Sequence, residues 1–295
     1  MFTDTHFHFF NIAEEQGQEF CCKMLEGMAE NNVFFAMDIG TKCDDIFLRL
    51  DEFEKTLGLI KNAELKAKIE NFIYFSAGIW PDPESIKNRF EAVKILEENI
   101  NKFISCGGKF SKKLVAIGEG GLDHHWNVNN ADHRNADDFD KNMLFAESEL
   151  FLLQLNLAKK MNLPFVIHSR DAFEDTLNCV KESGHSKGIL HCCSYGLEEV
   201  KKFLDIGYFI SFSGSITYTK KSKLEEMYSL LRYVPEDRIL LETDSPYLAP
   251  VPMRGSKNNP NFINYTYEFA AKAREISVEK LCDLVDQNCR KLFFC

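Results

Sequence analysis

The chain has 295 residues, 45% of them hydrophobic and 27% charged, and carries a formal net charge of −10. It can bury a large core, and α/β barrels reach this size as one unit, so residues 1–295 are read as a single domain. The acidic balance argues against sequence-independent binding of nucleic acid over a broad surface, while leaving room for a local basic patch beside a metal site. No apolar run approaches the roughly 20 residues of a membrane span. Met1-Phe2-Thr3-Asp4 has no basic segment of the signal-peptide kind, so a cytoplasmic protein is expected. Ten cysteines occur without any Cys-x-x-Cys spacing. They read as reduced, mostly buried thiols, neither a disulfide framework nor a structural zinc site.

Short apolar runs alternate with longer stretches of helical spacing. The predicted strands start with a run at Phe2 and continue with Val33–Ile39, Phe72–Ile79, Leu114–Gly118, Phe165–Ile167, Gly188–Leu190, Tyr208–Phe212 and Ile239–Leu241. Between the fourth and fifth, Met143–Met161 has the helical period, with Ala146, Leu150, Leu153 and Leu157 on one face. Asp123–Asn142, rich in Asn, Asp and His, reads as a long loop. Pro246–Pro260, with four prolines, reads as a rigid one. Eight strands separated by helices predict parallel βαβ units closed into a (β/α)8 barrel.

The groups that carry chemistry share a position. His6 and His8 end the first strand. Glu119, His168, His191 and Asp244 each follow a later one. In a barrel this gathers all six at the C-terminal mouth, where active sites are built. Residues two apart on a strand share a face, so both imidazoles of His6-Phe7-His8 can reach one ion. Four histidines and two carboxylates exceed one tetrahedral site and suit two divalent ions, with a carboxylate such as Glu119 bridging them. His124, His125 and His133, on the long loop, read as surface histidines. Asp171 reads as the cap of the helix that follows it, and Asp123 as a group orienting Glu119 or another ligand.

Met1-Phe2-Thr3-Asp4-Thr5-His6-Phe7-His8, Gly118-Glu119-Gly120-Gly121-Leu122-Asp123, His168-Ser169-Arg170-Asp171-Ala172, Leu190-His191-Cys192 and Glu242-Thr243-Asp244-Ser245-Pro246-Tyr247-Leu248-Ala249-Pro250 resemble, in order, the signatures of the TatD hydrolases. The terminal Asn288…Leu292-Phe293 is similar to the family's closing motif. The resemblance implies a metal-dependent barrel of the amidohydrolase kind, with His6, His8, Glu119, His168, His191 and Asp244 as metal ligands. It also implies a DNase, often exonucleolytic, supported by a divalent metal. Some family members are linked instead to removing D-amino acids from tRNA. Three departures stand out. Gly78-Ile79-Trp80-Pro81 has tryptophan where the family commonly has histidine. Leu190-His191-Cys192-Cys193 replaces Leu-His-Cys-Phe. Ser256 stands where a lysine is usual, with Lys257 one place later.

The expected mechanism places a scissile phosphate between two divalent ions (Mg, Mn or Zn), which polarise it and acidify a bound water. Asp244 is the candidate general base, with Glu119 beside it. Arg170, Arg254 and Lys257 are candidate phosphate contacts, and Trp80 a candidate base-stacking contact. DNA, as single strands or ends, is the expected substrate. A hydrolase of amides or esters, D-aminoacyl-tRNA included, would use the same ligand set. A non-catalytic metal- or nucleic-acid-binding protein would have lost a ligand or the base, and both are intact.

Overall fold

The apolar runs fold into eight parallel strands in one sheet, ordered β1 to β8 as in the chain. They are β1 (Thr3–Phe7), β2 (Phe35–Asp38), β3 (Ile73–Ala77), β4 (Leu114–Asp123), β5 (Phe165–Arg170), β6 (Gly188–Leu190), β7 (Phe209–Phe212) and β8 (Ile239–Leu241). The computed structural model describes residues 1–125 and 134–294. The helices, in order, are α1 (Phe9–Gln16), α2 (Gln18–Glu30), α3 (Ile46–Leu59), α4 (Ala63–Phe72), α5 (Pro83–Lys87), α6 (Arg89–Ser105), α7 (Lys141–Met161), α8 (Phe173–Ser183), α9 (Leu197–Asp205), α10 (Leu224–Tyr233), α11 (Ile263–Arg274) and α12 (Val278–Phe293). This is the (β/α)8 barrel that the alternation predicts.

The barrel closes at its mouth. Phe7 bridges to Ser245 in parallel fashion. Asp244 N–H donates to the His6 carbonyl at 2.8 Å, and His8 N–H to the Ser245 carbonyl at 2.8 Å. Below this seam the Asp4 carboxylate accepts from Thr243 N–H at 2.9 Å and Thr243 Oγ1 at 2.6 Å. The residues that close the barrel are thus the immediate neighbours of His6, His8 and Asp244.

Phenylalanines fill much of the core, with Phe35, Phe75, Phe165 and Phe212 all inaccessible to solvent. Phe47, Phe90, Phe145 and Phe294 are exposed. α7 starts where Asp140 accepts from the amides of Asn142 and Met143, and it ends at a left-handed Asn162. Its buried face includes Ala146, Leu150 and Leu157, with Leu153 only half-buried, and also Glu147 and Gln154. No disulfide occurs among the nine described cysteines, and no helix among the described residues is long and apolar enough to cross a membrane.

The structure corrects four local expectations. β4 does not stop at Gly118. After a register shift it continues through Gly121↔His168 and Asp123↔Arg170 against β5. The glycine-rich run carries few strand-forming side chains, but their lack is what lets two backbones approach. A Cβ on Gly121 would stand 1.8 Å from the His168 carbonyl oxygen. Consequently Glu119 and His168 lie within strands and not after them. The expected Asp123–Asn142 loop is also shorter, because Asp123 ends β4, Ala136–Phe139 forms a 3-10 turn and α7 begins at Lys141. Asp171 does not cap α8: the cap position is Ala172, with no side-chain bond. Asp171 instead pairs with His125 at 2.8 Å. Finally, His124 is not a surface group, since its side chain is 16% exposed and lies 3.9 Å from both Glu147 and Asp175. His133 lies outside the described residues.

Candidate metal centre

All six residues singled out at the strand ends meet at the mouth. Glu119 is the hub. Its Oε2 stands 3.1 Å from His6 Nε2 and 3.1 Å from His191 Nε2. On one side of it, Asp244 Oδ1 is 3.5 Å from His6 Nε2 and 3.4 Å from His8 Nε2, and the two imidazole Nε2 atoms are 3.3 Å apart. On the other side, His168 Nδ1 faces His191 Nε2 at 3.2 Å. The rings of His6 and His191 stack, with centroids 4.0 Å apart and planes at 7°.

The electrostatics follow from this crowding. Burial works to raise the Glu119 carboxyl, yet the imidazoles of His6 and His191 outweigh it and hold the group well below the usual range. Asp244 is likewise held down against its burial by His8, His6 and His191. Burial opposes a charge on His191, but Glu119, Glu242 and Asp244 push it up to about 9. His6 moves the other way, lowered by burial and by His191. Both carboxylates are therefore ionised at neutral pH.

The donor set fits cations. Ring nitrogens face one another at 3.2 and 3.3 Å with Glu119 and Asp244 beside them, and a ring nitrogen that gives up its proton is a metal donor. His6 Nδ1 and His191 Nδ1 are buried without a hydrogen-bond partner. Three overlapping groups could each hold an ion: His6, His8 and Glu119; Glu119, His168 and His191; and His6, His191 and Glu242. Imidazole nitrogen with carboxylate oxygen suits zinc and manganese.

The cationic candidates divide. Arg170 extends β5 beyond His168 and lies 3.8 Å from Asp123 Oδ2. Arg254, on the loop after β8, lays its guanidinium over the Tyr218 ring at 4.3 Å. Lys257 is engaged by Glu15 of α1 at 2.8 Å. Trp80 reaches the cluster, its indole edge-on to His168 with centroids 6.1 Å apart. Across the mouth Tyr247 meets His8 in the same manner at 5.8 Å.

Several supporting groups escaped the sequence reading. Glu242, fully buried, accepts from Cys192 N–H at 2.6 Å and from Ser211 Oγ at 2.6 Å. Gln154 of α7 pins the Trp80 segment, accepting from Ile79 N–H at 2.8 Å and donating to the Ile79 carbonyl at 3.0 Å. Arg49 bridges Asp38 at 2.7 Å and Asp45 at 3.0 Å, and donates to the Ser76 carbonyl at 2.6 Å. Buried Glu147 pairs with Arg134 and accepts from Asp123 N–H at 2.8 Å. Glu242 had a signal: it is a charge directly after Ile-Leu-Leu, with the same two-residue spacing to Asp244 as His6 has to His8.

A family model described as TatD related DNase matches residues 3–294. The chain belongs to this family. Among TatD relatives, an uncharacterized metal-dependent hydrolase of Bacillus subtilis is 33% identical over 225 residues, covering 76% of this chain and 78% of that protein. A 3'-5' ssDNA/RNA exonuclease TatD of a Rahnella strain is 33% identical over 186 residues, covering 61% of this chain and 65% of its own. The crystal structure of a TatD homologue from Escherichia coli superposes with a TM-score of 0.76 at 23% identity, covering 100% of this chain and 98% of that one. A TatD family hydrolase of Entamoeba histolytica gives 0.77 at 20% identity, covering 99% and 98%. These two likenesses support the TatD barrel fold.

Proposed function

We propose that the protein is a metal-dependent exonuclease that shortens single-stranded DNA, holding two divalent ions between His6, His8, Asp244 and Glu119 on one side and Glu119, His168 and His191 on the other. The observation that carries this reading is the position of Glu119 Oε2, equidistant at 3.1 Å from His6 and His191, which suits a carboxylate shared by two ions. When bound, such ions polarise a phosphodiester and make water a nucleophile at neutral pH. Asp244, ionised and beside His6 and His8, accepts the proton of the attacking water. His168 and His191 fix the far side of the cluster. Arg254, oriented by Tyr218, and Arg170 engage phosphate oxygens of the bound strand. Trp80, half-buried beside His168, offers a face on which an unpaired base stacks.

The chain's net charge of −10 supports recognition of a strand end by a few cations over recognition of long duplex. The Rahnella relative's name supports attack from the 3′ end. The test compares 5′-labelled single strands with free and blocked 3′ ends, closed circular duplex and D-aminoacyl-tRNA, each with Mg, Mn or Zn. Progressive shortening of the free 3′ strand alone supports the proposal. Deacylation without shortening, or equal cutting of circular duplex, refutes it.

A further inference from the structure

The two halves of the cluster are unequally supplied. His6 and His8 have Asp244 as a carboxylate of their own. His168 and His191 have only the shared Glu119 Oε2. Behind that second pair stand two other carboxylates. Asp123 Oδ2 is 3.0 Å from His168 Nε2, the ring nitrogen away from the cluster. Glu242 Oε1 is 3.4 Å from His191 Nδ1, again the outward nitrogen. Both side chains are almost wholly buried, at 2% and 0% exposure. His6 Nδ1 and His191 Nδ1 both lack a hydrogen-bond partner, but His191 Nδ1 has the Glu242 carboxylate facing it at 3.4 Å.

Glu242 is also fixed in place. Cys192 N–H and Ser211 Oγ each donate to one of its oxygens at 2.6 Å. Ser211 Oγ lies 3.2 Å from Thr5 Oγ1, which donates to the Leu241 carbonyl at 3.2 Å. One donor on each oxygen fixes the orientation of the Glu242 carboxylate, and its Oε1 faces His191 Nδ1, so it is placed to act through His191. A buried carboxylate behind an imidazole fixes its tautomer and raises the donor strength of the opposite nitrogen.

We infer that Glu242 is a positioning residue for the His168–His191 half of the centre, supplying through His191 the charge that Asp244 supplies directly to the other half. The inference rests on the two-ion reading and deepens it by assigning a separate support to each half.

The test is a competitive Mn2+ titration of the full-length, metal-stripped protein against a fluorescent chelator. Wild type should take up two equivalents. Glu242→Gln should keep one at wild-type affinity and weaken the other 10- to 100-fold. Combining it with Asp244→Asn should remove both tight equivalents. Ser211→Ala keeps the carboxylate but frees one oxygen, and should weaken the same equivalent by a smaller factor. It carries the test if Glu242→Gln fails to fold. Unchanged affinities, or equal loss at both equivalents, overturn the inference while leaving two-ion binding intact. A wild type that takes up fewer than two ions overturns both.

Discussion

Trp80→Ala separates a substrate contact from a core residue. The backbone at this point does not depend on the indole. Gln154 clamps Ile79 on both its polar groups at 2.8 and 3.0 Å, and Trp80 N–H donates to the Thr41 carbonyl at 2.9 Å. The ring is half-buried and meets His168 edge-on at 6.1 Å. A base stacked on an aromatic side chain contributes about 1–3 kcal/mol, so losing it should raise the KM for single strands about 5- to 150-fold. A chain of this length unfolds with an entropy of about 0.6 kcal/mol per degree at its midpoint. Loss of half an indole's burial, about 1–2 kcal/mol, should therefore lower Tm by only about 2–3 °C. Steady-state kinetics on a short 5′-labelled strand, alongside thermal melts, give both numbers. Trp80→Phe should bind almost normally, and Trp80→His should retain activity. A KM within twofold of wild type together with a Tm drop above about 5 °C would refute the stacking role and make Trp80 a packing residue.

Three further outcomes are expected. Asp244 sits at φ 58°, a left-handed conformation that Asn tolerates and Ala does not. At matched metal occupancy Asp244→Asn should therefore cut turnover roughly a hundredfold with little change in Tm, whereas Asp244→Ala should also lose about 1–2 kcal/mol of stability; a turnover within a few-fold of wild type would assign the proton transfer elsewhere. Gly121→Ala places a Cβ 1.8 Å from the His168 carbonyl, so it should cost about 3 kcal/mol or more and weaken metal uptake, and a melt at the wild-type temperature would contradict that packing. His185, between Leu163 O at 3.0 Å and Tyr208 Oη at 3.1 Å, has its pKa lowered by burial. Above about pH 6.5 it is neutral whether folded or unfolded; below that the unfolded chain takes a proton that the folded one refuses, so stability falls with pH. His185→Gln, melted in chelator from pH 7 to 5, should show a shallower fall than wild type.

The barrel was legible because its strands are short apolar runs, and β6 and β8 match their predicted bounds. The mouth was legible because polar groups that end such strands have nowhere else to lie. What stayed hidden depends on contacts between distant segments. β4 runs on through glycines only because β5 accepts its backbone closely, a fact no local pattern carries. Asp171 has the composition of a cap but lies one residue too early, at φ 54°, and turns to His125 instead. Gln154 and Arg49 look like ordinary polar positions on a helix, and Glu242 shows only its spacing to Asp244. Their roles appear only when His191, Ile79 and Asp38 are brought beside them.

The Glu119-centred cluster is proposed as a divalent-metal site that cuts single strands from an end. It is tested most directly by following a 5′-labelled single strand with a free 3′ end as Mn2+ or Mg2+ is added to metal-stripped protein. No shortening is expected without metal, one-nucleotide ladders once about two equivalents are bound, and no cutting of a closed circular single strand. Shortening that persists after exhaustive chelation, or a fully metal-loaded protein that leaves every strand intact, would contradict the proposal.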